Sequence, residues 1–235
     1  MGSTISAARD LLKKDGEKAE LEQQLEILEK MVNGRLDKEM DNILQGRKGN
    51  QEIQTGTIVA IHRQINITDS TKQELDECLS KSLHEFFSGG DYIDGITSII
   101  KLGADTVLGN ASIGEYETSD MFIIWNSNAL IRCDAYYYRW NFISKGVIED
   151  ADGCTGVLLV QRVINATKVD PQVLTWAITN QVKKHHSSKD DMKDGDIEKL
   201  ATEAIDSAMK VLEKVVGFQV KVKLIEDGQI NKSGD

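Results

Sequence analysis

Basic charge is scarce in this chain of 235 residues: 28 Lys and Arg stand against 38 Asp and Glu, a formal net charge of −10. Phosphate backbones are held by basic faces that release counterions, so this balance excludes a nucleic-acid binder. The one basic cluster, KKHHSSK at 183–189, is followed at once by DDMKDGD, which offsets it. Long apolar runs are missing too. The longest, around Phe122–Trp125 and Val157–Val160, are strand-sized, far short of the ~20 residues that a membrane-spanning helix needs. The first fifteen residues mix Arg9, Asp10, Lys13, Lys14 and Asp15 with few apolar positions, unlike a secretory signal. Cysteine is limited to Cys78, Cys133 and Cys154, an odd number, widely spaced and without a C-x-x-C pair. That is the pattern of reduced thiols, not of a disulfide framework. These shortages predict a cytoplasmic protein, in which the sequons at Asn66, Asn110, Asn165 and Asn231 are chance matches.

Catalytic signatures are equally sparse. No G-x-S-x-G, P-loop or G-x-G-x-x-G occurs, and each would have named a chemistry. The histidines, His62, His84, His185 and His186, are scattered. The adjacent pair points in different directions on a helix end and does not form an i, i+4 chelate. EDADGCTG at 149–156 gathers Glu149, Asp150 and Asp152 but lacks the later glutamate of a calcium loop, so it reads as an acidic turn. No metal and no cofactor are expected, and the balance leans away from an enzyme. The opening MGSTIS fits the N-myristoylation pattern, but one acyl chain holds a membrane only marginally, and Ser3 or Thr4 has a plain capping role.

What is present is regular patterning. From Ser3 to Leu44 the chain reads as helix, with a break at Asp15-Gly16. In its longer part Leu21, Leu25, Leu28, Val32 and Leu36 recur at spacings of three and four, and Met40 and Ile43 roughly continue the stripe. This is one narrow apolar seam on an otherwise charged helix; Gly34 marks a bend, and QGRKGNQ at 45–51 reads as a linker. A β-branched stretch predicts a strand over 53–66. Ser70 and Gln73 form a capping box for a helix that buries Leu75, Leu79, Leu83 and Phe86. A second helix, with Ile93, Ile96, Ile100, Ala104 and Val107, follows Asp91.

From Ser112 to about Asn165 the signal turns to β: MFIIW, a turn at 126–128, then ALIRCDAYYYRWNFIS, a hairpin with one long arm, and TGVLLVQRVIN as a further strand. Asp170 and the single proline, Pro171, open a helix that carries Val173, Leu174, Ala177, Ile178 and Val182. A last helix from Asp196 stops at Gly217, and the alternation of Phe218, Val220, Val222 and Leu224 predicts a final strand. The sum is an α+β fold: a mainly antiparallel sheet with a long central hairpin, covered by helices. Residues 1–48 form an N-terminal amphipathic helical arm, and 49–235 a single domain.

Five of the thirteen aromatic residues fall between Tyr136 and Phe142. On a strand, Arg132, Asp134, Tyr136, Tyr138 and Trp140 share one face. That face serves either as a groove for a small planar or sugar ligand, or as sheet core in which Tyr and Trp suit half-covered positions; the core reading is preferred. The leading expectation for function is a non-catalytic interaction or self-assembly protein, a homo-oligomer or the partner of another protein. Leu21, Leu25, Leu28, Val32 and Leu36 of the arm form its interface, and Leu25→Asp then breaks the oligomer while the body stays folded. Two alternatives are small-ligand or glycan binding on the aromatic strand, and membrane association or pore formation in which the helix at 91–108 and the arm rearrange.

Overall fold

A computed structural model describes residues 18–46, 53–67, 86, 114–126, 128–141, 153–186 and 194–230. Their elements are α1 (Lys18–Leu44), β1 (Thr55–Ile67), β2 (Gly114–Asn126), β3 (Ala129–Asn141), β4 (Gly153–Ile164), α2 (Pro171–His186) and α3 (Asp194–Ile230). The four strands form one antiparallel sheet in the order β1-β4-β3-β2, which makes the fold α+β. Of the sequence-predicted elements, the segment before Lys18, the acidic turn at 149–152 and the helix at 91–108 lie outside the described residues. So does the helix after Ser70, save Phe86.

Two differences from the sequence reading stand out. The hairpin has two equal arms of 13 residues, because GEYETSD before MFIIW is strand as well. The final strand over Phe218–Leu224 does not form: α3 runs unbroken through Gly217 to Ile230. An apolar residue at every second position over seven residues also places residues four apart, Phe218 with Val222 and Val220 with Leu224, so the period alone does not decide. Once a helix is nucleated, each added residue costs little. Gly217 keeps a negative φ, unlike Gly46 and Gly114, so it is not a helix-ending glycine.

The chain divides into two compact units. The first holds α1 with the β1 residues from Ala60, the β2 residues to Met121, the β3 residues from Asp134 and the β4 residues to Val160. Its core joins Leu25, Leu28, Val32, Leu36 and Ile43 of α1 to Tyr136 and Tyr138 of β3 and to Cys154, Leu158 and Val160 of β4. Gly34 does not bend α1, which is a single helix to Leu44. Gly46, at φ 65°, ends it in the left-handed conformation that glycine adopts without penalty. A methyl group built on Gly34 meets no atom within 4 Å. Gly34→Ala is therefore expected to stabilise the protein by about 0.5–1 kcal/mol, through helix propensity alone. A thermal melt checks this: a rise of roughly 1–4 °C is expected for a chain of this size.

The second unit holds Phe122–Cys133, the β4 residues from Gln161, α2 and α3, with Asn50–Val59. The Asp170 carboxylate accepts the Gln172 N–H at 2.7 Å, the cap that the Asp-Pro pair predicted. α2 buries Leu174, Ala177 and Ile178, α3 buries Ala201, Ala208 and Leu212, and the two helices pack together. Gln181 of α2 caps the outer edge of β2 at Ile123. Its Oε1 accepts the Ile123 N–H at 2.8 Å, and its Nε2 donates to the Ile123 carbonyl at 3.1 Å. One side-chain amide thus takes both ladder positions that a further strand would use.

Candidate functional site

The aromatic strand and the arm meet in the first unit, and the contact is built from both sequences. On β3 every side chain from Arg132 to Tyr138 is buried. Tyr136 and Tyr138 are 2% and 1% exposed, because the α1 seam covers them. Their hydroxyls cannot be left dry without a partner. Tyr136 donates to Glu117 Oε2 at 2.7 Å, and Tyr138 donates to Glu115 Oε1 at 2.9 Å. Glu115 and Glu117 alternate on β2, so both reach the same side of the sheet. Arg35 of α1 closes the ladder: its Nη2 donates to both Glu115 oxygens, at 2.9 and 2.7 Å. Its guanidinium lies 5.8 Å from the Tyr138 ring centre, within cation–π range.

The same helix is tied at the far side of the sheet. Arg63 of β1 donates to Asp37 at 2.6 Å and to the Asn33 carbonyl at 2.8 Å. Between the two clamps α1 rests on β4, where a Cβ on Gly156 would stand 2.6 Å from Val32 Cγ1 and 3.1 Å from Leu36 Cδ2. Glycine is required there because the helix approaches the strand closely. One residue of the buried stripe is charged: Glu39, 3% exposed, accepts from Asn42 Nδ2 at 3.0 Å and from Ser119 Oγ at 3.2 Å. Met40, partly buried, packs against this core as the seam predicted, but the burial of Glu39 beside it was not foreseen. The spacing from Leu36 to Glu39 to Ile43 is helical, but a search for apolar residues passes over a glutamate.

Leu25, Leu28, Val32 and Leu36 are therefore brought together, against their own sheet; the side chain of Leu21 lies outside the described ones. Asp at Leu25, which is 9% exposed in this core, strikes the packing of the chain itself. Of the candidate ligand residues, Tyr136 and Tyr138 lie under α1 and Trp140 packs against the same core. Asp134 is buried in the first unit, while Arg132, buried in the second, donates to the Ile53 carbonyl at 3.4 Å. Among the described residues no group of three or more His, Cys, Asp and Glu is arranged to hold a metal ion, and no helix is long and apolar enough to cross a membrane.

The electrostatics of the ladder give it a pH window. The Tyr138 hydrogen bond, and then Arg35, hold the Glu115 carboxyl below the ordinary carboxylate range. A depressed carboxylate contributes stability that is complete above its unfolded pKa and is lost as pH falls through the folded one. Burial, and then the Glu115 and Glu117 carboxylates, push Tyr138 and Tyr136 above the ordinary phenol range. A raised phenol loses its contribution as pH rises beyond ~10. Melting temperature is thus expected to be flat near neutrality, to fall below about pH 4.5, and to fall again above about pH 10. The acid limb is shallow, because Glu115 is half exposed and solvent screens its pair. In Tyr136→Phe/Tyr138→Phe the alkaline limb is expected to flatten. An unchanged limb would assign it to other groups.

No protein-family model, curated protein or solved structure matches this chain.

Proposed function

We propose that this chain is a non-catalytic cytoplasmic protein of interaction and self-assembly, acting as a homo-oligomer or as the partner of another protein. The observation that carries the reading is a run of apolar side chains left in water on β1: Ile58 is 38%, Val59 52% and Ile61 51% exposed. Singly exposed residues such as Trp176 on α2 and Phe218 on α3 are ordinary, whereas here three exposed apolar residues fall within four positions of one edge strand, Val59 and Ile61 on one face and Ile58 on the other. The polar groups suited to chemistry serve packing instead. The phenols of Tyr136 and Tyr138 are bonded to carboxylates, and burial pushes the Cys154 thiol up to about 12, where it is no nucleophile at neutral pH.

The arm enters this reading in a definite way. Its seam is engaged with its own sheet, so Leu25, Leu28, Val32 and Leu36 reach a second copy only by exchange of the whole helix. Its outer side offers Ile27 and Leu44, 58% and 49% exposed. The test is light scattering on the full chain after size exclusion, over a concentration series. A mass that rises to a multiple of 26.1 kDa is expected. A monomer at every concentration, with no protein partner recovered by cross-linking in cells, would reject the reading.

A further inference from the structure

We infer that the open edge of β1 is a dimerisation strand, which pairs antiparallel with β1 of a second copy about a twofold axis at Ile58. This rests on the self-assembly reading and names its surface and its partner. The sheet order leaves two edges, β1 and β2. Natural edges are blunted by charge, proline, a bulge or a covering side chain. On the β2 edge the Gln181 amide occupies the outward groups of Ile123, and Glu115, Glu117 and Asp120 place charge along the rest of the strand. Beyond Ile61, β1 carries Arg63, which is held by Asp37 and Asn33 of α1. The stretch from Thr55 to Ile61, TGTIVAI, has no charge and no proline, and no strand pairs with its outer side among the described residues.

The backbone register selects which groups are offered. The Gln54 carbonyl accepts the Asn165 N–H at 2.9 Å, and Gly56 sits against the Val163 carbonyl. In an antiparallel ladder the paired groups alternate, so Gly56 and Ile58 aim at β4 while Thr55, Thr57, Val59 and Ile61 aim outward. A twofold axis at Ile58 sets Thr57 opposite Val59 and Thr55 opposite Ile61, with Ile58 facing its own copy. It is the longest symmetric register that brings no charged residue into the ladder. A centre at Val59 would draw in Arg63, and one at Thr57 would shorten the pairing.

Charge chooses the occupant. Each copy carries −10, so two copies meet only where neither presents charge, and this strip is neutral on both by identity. An acidic or basic peptide would find no counter-charge along it. A twofold pairing uses the same strip on both copies, so it closes at two. A ladder this short falls below the ~1,200 Å² of a standard interface, so the dimer dissociates on dilution.

Light scattering on the full chain in a Cys78→Ser background is expected to show that reversible dimer. Ile58→Cys is expected to cross-link to its own copy under mild oxidation. Opposed residues in a non-hydrogen-bonded pair stand ~4.5 Å apart at Cα, within disulfide reach. Thr57→Cys, opposite Val59 in this register, is expected not to link to itself. Val59→Pro removes an outward N–H and leaves the β4 ladder intact, and is expected to weaken dimerisation about tenfold or more. Ile61→Lys, at an exposed side chain, tests the same edge if the proline perturbs the strand. A dimer that survives both variants with unchanged circular dichroism, and does not cross-link at Ile58→Cys, overturns the strand assignment while self-assembly stands. A monomer throughout overturns the inference, and leaves the edge to a strand of another protein.

Discussion

Gly156→Val is expected to unseat α1 and to cost roughly 3 kcal/mol or more, a large share of the stability of an ordinary domain. Already the first added carbon would stand 2.6 Å from Val32 Cγ1, closer than two carbon atoms pack. The obstacle does not swing aside easily. Val32 is fully buried, and a β-branched side chain in a helix has essentially one χ1 rotamer. Relief must come from moving the helix, which is held from one side by Arg35 on Glu115 and from the other by Arg63 on Asp37. Gly156→Ala is expected to cost less, roughly 1–3 kcal/mol, since a single methyl group forces a smaller displacement of the helix than the branched valine does. Chemical denaturation of the two variants checks the order. If valine is tolerated as well as alanine, the close approach of α1 to β4 is wrong.

Leu36→Asp is expected to cost more than about 4 kcal/mol, as a lost buried leucine combined with an unpaired carboxylate in an apolar core. The same kind of change at Ile27→Asp, one face away on the same helix, is expected to stay within about 0.5 kcal/mol of the wild type. Leu36 is 0% exposed and packs against Gly156 and its neighbours, whereas Ile27 is 58% exposed. The pair separates packing from helix propensity, because both substitutions place the same residue in the interior of α1. Urea midpoints and tyrosine fluorescence from the buried ring pair report it. Equal loss at both sites would mean that the outer face of α1 is also covered, and would move the contact surface of the protein onto the arm.

The elements whose pattern spans many residues were legible. The spacing of Leu25, Leu28, Val32 and Leu36 marks one apolar face, and a face repeated over three turns fits no other period. Tyr136, Tyr138 and Trp140 alternate with Tyr137 and Arg139, and two mixed faces foretell a strand covered on both sides. Asp170-Pro171 announced the start of α2 through chemistry local to two residues. Where a pattern was short it failed. Phe218–Leu224 satisfies both the strand and the helix period, and the helix already running through Val215 extended across it.

What the candidate site is made of lay beyond any local pattern. Periodicity says that a seam must be covered, but not by what. α1 meets β4 at Gly156 and β3 at Tyr138 across more than a hundred residues of chain, and GEYETSD carries no signal that its glutamates accept from tyrosines on the next strand. Those partners are set by the hairpin register, since a shift of one residue would turn Glu115 and Glu117 to the opposite face. The bareness of β1 between Thr55 and Ile61 is likewise written in the sequence as an uncharged run. That this run lies at a sheet edge follows only from the order of the strands. The sequence by itself determined which faces are apolar and which segments are strand or helix where the period is long. Only the tertiary structure decided which face meets which, because hydrophobic burial is non-directional and pairing is settled by backbone register and close approach.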